Sequence, residues 1–265
     1  MIPIYQNEMY LTLDSIFNID SLLSLEDEFY QLFAKNYKRS SPVWAAGSID
    51  FDTQHLYVKE NPYLYHVYHT EKFDFSSETN NNGCGQGSSN SVWSEELAVY
   101  LQLKFGAVSP YRFLHLVDHQ NNNKETKVCL NEWVLQSQKI VEWIDQLPFL
   151  NFQNISLIFT PKFIPQGYHR DFNLYPIEQP DKICSTIPEL DIDVIWCRFN
   201  LDRPFYLYEI DDKGNILQEI PFAGHVATFN HYNWHGNIHP ADSASLTIKL
   251  EGTLTSEFKK KIQDL

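Results

Sequence analysis

The sequence has little of three things: cysteine, basic charge and long apolar runs. The four cysteines form no Cys-x-x-Cys pair, which argues against a zinc ribbon; they are Cys84, Cys129, Cys184 and Cys197. No apolar run approaches about 18 residues, so no membrane span is expected. The first residues, MIPIYQNEMYLTLDS, lack a basic region followed by an apolar stretch, so we predict no secretory signal. We therefore expect a cytoplasmic protein whose thiols are reduced.

Basic residues are outnumbered by acidic ones. Lys plus Arg total 20 and Asp plus Glu total 34, which gives a formal net charge of −14. Phosphate backbones are bound through clustered cations, and the one dense cluster here, Lys259 to Lys261, is interpreted as a solvated helix face. No nucleic-acid partner is expected. The acidic balance favours a cationic or zwitterionic partner, either a small molecule or a peptide or protein.

The length of 265 residues, with 43% hydrophobic and 15% aromatic residues, suits a single domain over 1–265. We predict a helix-rich N-terminal part over 1–147. Apolar residues near a 3.6-residue period predict helices over 21–36, 93–104 and 131–146, and the composition of 55–75 predicts strands. The polar, Gly-rich segment 76–92 is predicted to be a loop, either a lid beside a pocket or a surface insertion.

The character of the chain changes over residues 148–255, where short apolar runs alternate with turn signals. The runs are ISLIFTPKF, DVIWCRFNL, PFYLYEID, ILQEIPF, HVATFNH and SLTIKLEG. Asp212-Lys213-Gly214-Asn215 resembles a hairpin turn between two of them. Many short strands at this spacing favour an antiparallel sandwich or barrel. We therefore predict an α+β, mainly β fold, in which a β-barrel core carries the N-terminal helices.

A possible metal site lies in this β-rich part. In Gly167-Tyr168-His169-Arg170-Asp171, the imidazole of His169 and the carboxylate of Asp171 are two residues apart and would lie on one side of an extended chain. A second histidine, distant in sequence, would complete a facial triad, which leaves coordination positions open and favours Fe(II). His231, His235 and His239 are the candidates for it. His225, just after Gly224, is interpreted as a structural histidine.

Four segments of residues 148–252 resemble the double-stranded β-helix (jelly-roll or cupin-like barrel) of Fe(II)/2-oxoglutarate dioxygenases. They are PKFIPQGYHRD, RFNLDRPFYLYEID, IPFAGHVATFN and YNWHGNIHP. The resemblance is greatest to the aspartyl/asparaginyl β-hydroxylase-like and bacterial proline hydroxylase-like branches. It covers about 40% of the chain and implies that His169, Asp171 and His235 bind iron, with His235 preferred by its spacing from Phe229-Asn230.

The same resemblance implies a basic residue that binds the far carboxylate of 2-oxoglutarate. Ser245 stands where relatives usually carry that cation. Two alternatives remain: Lys249, on the same predicted strand and face as Ser245, and Arg198, whose guanidinium fork suits a carboxylate and which Asn200 could assist. The polar segment 177–193 is longer than the resemblance implies between His169 and the Arg198 strand. We predict that it lies over the pocket mouth and shapes substrate choice, or else is a plain surface loop.

The possible metal site and the resemblance together imply an Fe(II)- and 2-oxoglutarate-dependent oxygenase, and we predict a hydroxylase of an amino acid or of a peptide or protein side chain. A non-catalytic, cupin-like barrel that binds a ligand or a structural metal is the alternative. An iron oxygenase that does not use 2-oxoglutarate is a third reading, because Ser245 departs from the family pattern.

Overall fold

The computed structural model describes residues 9–36, 39–43, 111–122, 125–160, 167–169, 192–211, 215–231, 233–237, 239 and 241–265. The predictions made for 55–75, 76–92, 93–104 and nearly all of 177–193 lie outside these residues.

The described part of the chain contains five helices and thirteen strands. The helices are α1 (Ile19–Leu23), α2 (Glu26–Lys35), α3 (Glu132–Leu135), α4 (Gln138–Asp145) and α5 (Ser256–Gln263). The strands are β1 (Tyr10–Thr12), β2 (Ser41–Val43), β3 (Tyr111–His115), β4 (Val117–Asn122), β5 (Glu125–Leu130), β6 (Phe149–Thr160), β7 (Gly167–His169), β8 (Asp193–Arg198), β9 (Tyr206–Ile210), β10 (Ile216–Pro221), β11 (Val226–Phe229), β12 (Trp234–Asn237) and β13 (Ser245–Leu254). None of the described helices is both long and apolar enough to cross a membrane.

Two of the predicted helices are each broken in the structure. The helix predicted over 21–36 is two helices, α1 and α2, joined by a turn at Ser24 and Leu25. Leu22, Leu25 and Phe29 are all buried, so the apolar period continues through the turn and the sequence pattern does not reveal it. The helix predicted over 131–146 is likewise two short helices, α3 and α4.

The strands form two antiparallel sheets and a separate hairpin. The large sheet has the order β1-β11-β8-β13-β6-β3-β2, and the small sheet has the order β10-β9-β12-β7. All six predicted β-segments from residue 155 onward contain strands, which confirms a mainly β core with helices. The predicted turn at 212–215 joins β9 and β10, which pair antiparallel.

The N-terminal part, for which we predicted many helices, contains strands as well as helices in its described segments. Strands from that part extend the large sheet at both ends: β1 pairs with β11, and β3 and β2 continue the sheet beyond β6. An unpaired sheet edge exposes backbone donors and acceptors, so added strands satisfy the inner strands at each end. These segments are too short for periodicity to separate strand from helix.

The large sheet has helices on one face and the small sheet on the other. Alternate residues of the central strands, such as Leu157, Cys197 and Leu250, join the core that includes residues of α1, α2, α4 and α5. The intervening residues face the other way: Ile158 and Trp196 share a second core with Leu207 of the small sheet. Strand alternation therefore divides these strands between two cores, and the second core adjoins the candidate site.

Gly224, just before β11, lets the chain pass close to Thr12 of β1 and to Asp14. Its φ is +83°, and a Cβ there would lie 2.5 Å from Cγ2 of Thr12 and 2.8 Å from Oδ2 of Asp14. Asp14 in turn accepts hydrogen bonds from the backbone N–H groups of His225 and Val226. The close approach therefore requires glycine.

Candidate functional site

An aromatic cluster between the two sheets surrounds His235. The His235 ring lies 5.1 Å from the ring of Phe229, 5.8 Å from that of Trp196 and 5.9 Å from that of Phe205. Phe222 packs on the same cluster, 4.8 Å from Phe229. His235 has no exposed surface, so it is a polar ring set in an apolar, water-poor region between the sheets.

One nitrogen of His235 is bonded to the backbone. Nδ1 lies 2.8 Å from the carbonyl oxygen of Asn233. A carbonyl only accepts, so Nδ1 carries the proton and Nε2 of the neutral ring carries the lone pair. Bonds of this kind orient metal-binding histidines in general.

The register of β12 on β7 brings two of the predicted site residues together. His235 is the direct Cα partner of His169, and Asn237 is the partner of Gly167. Directly opposed residues of an antiparallel pair share one face of the sheet, with Cβ atoms about 4.5–5.5 Å apart. Asp171 and the side chain of His169 lie outside the described residues. Within those residues, no group of three or more His, Cys, Asp or Glu could hold a metal.

Lys249 lies on the large sheet, on the face turned toward His235. It is only 7% exposed, and its ammonium lies 5.3 Å from the centre of the Trp196 ring and 2.9 Å from Oε1 of Glu251. Lys249 is therefore a buried, ion-paired lysine rather than an exposed one. Ser245 is also buried and lies four residues earlier on β13, opposite Thr160 of β6.

The guanidinium of Arg198 is hydrogen-bonded to backbone carbonyls. Its Nη2 donates to the carbonyl of Arg203 at 2.9 Å, and its Nη1 lies 3.4 Å from the carbonyl of Phe222. Burial lowers the pKa of Arg198 to about 10, against the opposing attraction of Asp14, so the side chain is still charged at neutral pH. Asn200 is half-buried, and its Oδ1 accepts from the backbone N–H of Asp202.

The other histidines of this part have different surroundings. Nδ1 of His225 lies 2.9 Å from the carbonyl of Arg198, in keeping with a structural role. His239 is exposed, and its Nε2 lies 2.9 Å from Oε2 of Glu219. His231 is buried, at 1% exposure. Of the three candidates for the distant histidine, His235 is the one that pairs across the sheet with His169.

Several residues that the structure brings to this site were not predicted from the sequence. Trp196 and Phe229 line it, Glu251 pairs with Lys249, and Asn237 lies two residues beyond His235 on the same strand. Strand alternation could have found two of them. Trp196 lies two residues before Arg198 and Glu251 two residues after Lys249, so each shares a strand face with a predicted site residue. Burial raises the pKa of the Cys197 thiol, which lies on the opposite face, so this thiol is a poor nucleophile.

No model of a known protein family matches this chain, and no curated protein matches it. The solved structures that are similar to it over part of the chain include the following two. An oxidoreductase of the 2OG-Fe(II) oxygenase family from Burkholderia pseudomallei is 9% identical with a TM-score of 0.29; the match covers 54% of this chain and 66% of that one, just under two thirds. A prolyl-4-hydroxylase from Pseudomonas putida is 12% identical with a TM-score of 0.26, over 55% and 73% of the two chains. Likenesses this distant assign neither a fold nor an activity.

Proposed function

We propose that this protein is an Fe(II)- and 2-oxoglutarate-dependent oxygenase that hydroxylates an amino acid or a peptide or protein side chain. The observation that carries the proposal is the antiparallel register that sets His169 directly opposite His235, whose own ring is buried among aromatic rings between the two sheets. A histidine pair in this position has the donor atoms and the enclosure that a catalytic iron requires.

The strand order supports a double-stranded β-helix. Counting β6 to β13 as strands one to eight, the large sheet contains the order six-three-eight-one and the small sheet the order five-four-seven-two. Consecutive strands alternate between the two sheets, except that strands four and five are neighbours in the small sheet. Strand one pairs antiparallel with strand eight, strand two with seven, and strand three with six. This is the strand arrangement of a jelly roll.

The residues at the centre fit a ferrous ion. Its ligands would be His169, Asp171 and His235, two imidazoles and one carboxylate, which is the donor set of non-haem Fe(II) oxygenases. The bond from Nδ1 of His235 to the carbonyl of Asn233 leaves Nε2 as the metal-binding nitrogen. When bound, the iron would supply the activation of dioxygen. The aromatic rings of Trp196, Phe205 and Phe229 would keep bulk water from the reacting groups.

The co-substrate part of the proposal rests on Lys249. Both Lys249 and Arg198 are cationic and buried, but the Arg198 guanidinium donates to two backbone carbonyls, whereas the Lys249 ammonium lies over Trp196, whose ring neighbours His235. We therefore assign the far carboxylate of 2-oxoglutarate to Lys249. Ser245, in the position where relatives carry a cation, would line the same face at the start of β13.

The test is an anaerobic titration of the protein with Fe(II) and 2-oxoglutarate. A weak visible charge-transfer band should appear, and His235→Ala should abolish it. His239→Ala is the matched control, because His239 is exposed and bonded to Glu219; the band should survive. In air, 2-oxoglutarate should be converted to succinate. A protein that binds the metal without the band or succinate is a binding barrel of the cupin-like kind, and the proposal is then wrong. Turnover with dioxygen but without succinate points to an iron oxygenase of another kind.

A further inference from the structure

We infer that Trp196 and Asn237 donate hydrogen bonds to the carboxylate-bearing co-substrate, a binding role that rests on the proposed function. Trp196 is 5% exposed, and its indole N–H is fully buried with no hydrogen-bond partner among the described residues. Its ring nevertheless packs closely on Phe205 and Phe229. A buried donor without an acceptor is costly in a folded protein, and an occupied site removes that cost.

Asn237 presents a second buried donor. The residue is 1% exposed, and its Oδ1 accepts from the backbone N–H of His239 at 2.7 Å. That bond fixes which end of the amide is oxygen, since a backbone N–H requires an acceptor. Nδ2 is therefore held in one orientation, and it has no hydrogen-bond partner within the part of the chain that the structure describes. An amide fixed at one end is a preorganised donor at the other.

Both donors border the same space as His235. Asn237 follows His235 by two residues on β12, so strand alternation assigns both to one face, and its cross-strand partner is Gly167, which has no side chain to fill the adjoining volume. The Trp196 ring lies 5.8 Å from the His235 ring on the facing sheet. The ammonium of Lys249 lies 5.3 Å from the centre of the same indole.

The chemistry of these groups selects the ligand. An indole N–H and an amide NH₂ are donors, and an ammonium is a donor with a positive charge, so together they suit a group that only accepts and is negatively charged. A carboxylate has these properties, and 2-oxoglutarate carries two. Buried water is the other occupant that could satisfy the two donors, and the experiment distinguishes the two.

The experiment measures 2-oxoglutarate binding by calorimetry on the full chain, with Mn(II) in place of Fe(II) to avoid oxidation. Trp196→Phe keeps an aromatic ring beside Lys249 and removes the N–H. Asn237→Ser keeps an oxygen on the side chain and removes the Nδ2 donor without adding a charge that would repel the ligand. Each should raise the Kd about tenfold, the usual effect of losing one hydrogen bond to a charged group. Trp143→Phe, the same change in α4, should leave the Kd unchanged.

The outcomes separate the two proposals. If the wild-type protein binds no 2-oxoglutarate, the proposed function is wrong and this inference falls with it. If the wild type binds and both variants bind within twofold of it, water satisfies the donors and this inference alone is overturned. The melting temperatures of the ligand-free proteins complete the test. The melting temperature of Trp196→Phe should fall no further than that of Trp143→Phe. If Trp196→Phe does not fold, Asn237→Ser decides alone.

Discussion

The Lys249–Glu251 pair offers the sharpest test of how the site is built. The two charges are 2.9 Å apart, with side chains only 9% and 12% exposed. Charges about 3 Å apart attract by roughly 5–6 kcal/mol at an effective dielectric constant of about 20, and desolvation offsets much of that. Removing one partner of a buried pair costs about 3–5 kcal/mol. Because Glu251 also accepts from Nδ2 of Asn154 at 2.7 Å, we expect the lower end of that range for Lys249→Met.

Removing both charges should reverse most of that loss. In Lys249→Met with Glu251→Gln, no uncompensated carboxylate is left, so the free energy of unfolding should return to within about 1–2 kcal/mol of the wild type. Urea denaturation of the two single variants and the double variant gives the coupling energy directly. If the double variant is as unstable as Lys249→Met, the unpaired Glu251 carboxylate is not the reason that Lys249→Met loses stability.

The same double variant isolates the ammonium as a ligand-binding group. A charge-assisted hydrogen bond contributes about 1.5–3 kcal/mol, so 2-oxoglutarate with Mn(II) should bind about 10–150-fold more weakly, as measured by calorimetry. The single variant should bind more weakly still, because Glu251 then repels the carboxylate. Arg198→Met is the comparison, and its Kd should stay within about threefold. The opposite pattern, with binding lost in Arg198→Met and kept in the double variant, would refute the assignment to Lys249.

Three further predictions concern stability, each measured by denaturation. Gly224→Ala should cost about 2–4 kcal/mol, because φ is +83° and the added Cβ meets Thr12; an effect below 1 kcal/mol would show that β1 yields easily. Thr255→Ala should cost about 1 kcal/mol, since the Thr255 hydroxyl caps α5 by accepting from the N–H of Phe258; an unchanged midpoint would mean that the cap is not needed. Trp143→Ala should cost about 3–5 kcal/mol because the ring is 4% exposed and packs edge-on against Phe29, and a loss under 2 kcal/mol would indicate that the core refills the cavity.

Much of the β-rich core could be predicted from local pattern. The segment SLTIKLEG alternates apolar and polar residues, and the structure uses that alternation: Leu246, Ile248 and Leu250 join the core beneath the helices, while Lys249 faces the other sheet. The position of Lys249 on the same face as Ser245 followed from a two-residue period alone. The burial of Lys249 could not be predicted in the same way, because a lysine on a strand is usually exposed and here only the facing sheet covers it.

The pairing of distant strands could not be predicted from local pattern. Nothing in the residues near Tyr10 indicates that β1 completes the edge of β11, and nothing near Trp196 indicates that its ring meets that of His235. These contacts depend on which strands are neighbours, a property of the whole chain. The hydrogen bonds from Arg198 to the carbonyls of Arg203 and Phe222 could not be predicted either, because they depend on how the loops after β8 and β10 return to the sheet.

Register, more than spacing in the sequence, sets the geometry of this site. The stretch between His169 and His235 contains four strands and a long connection, so its length can vary without changing which residues oppose each other. A slip of β12 by one residue would turn His235 to the other face of the small sheet. Trp234 opposes that slip, because it pairs with Tyr208 on the far face while His235 packs on Phe229 on the near face. A slip would move the Trp234 indole to the near face and the His235 imidazole to the far face. The apolar packing of Trp234 therefore helps to keep His235 opposite His169.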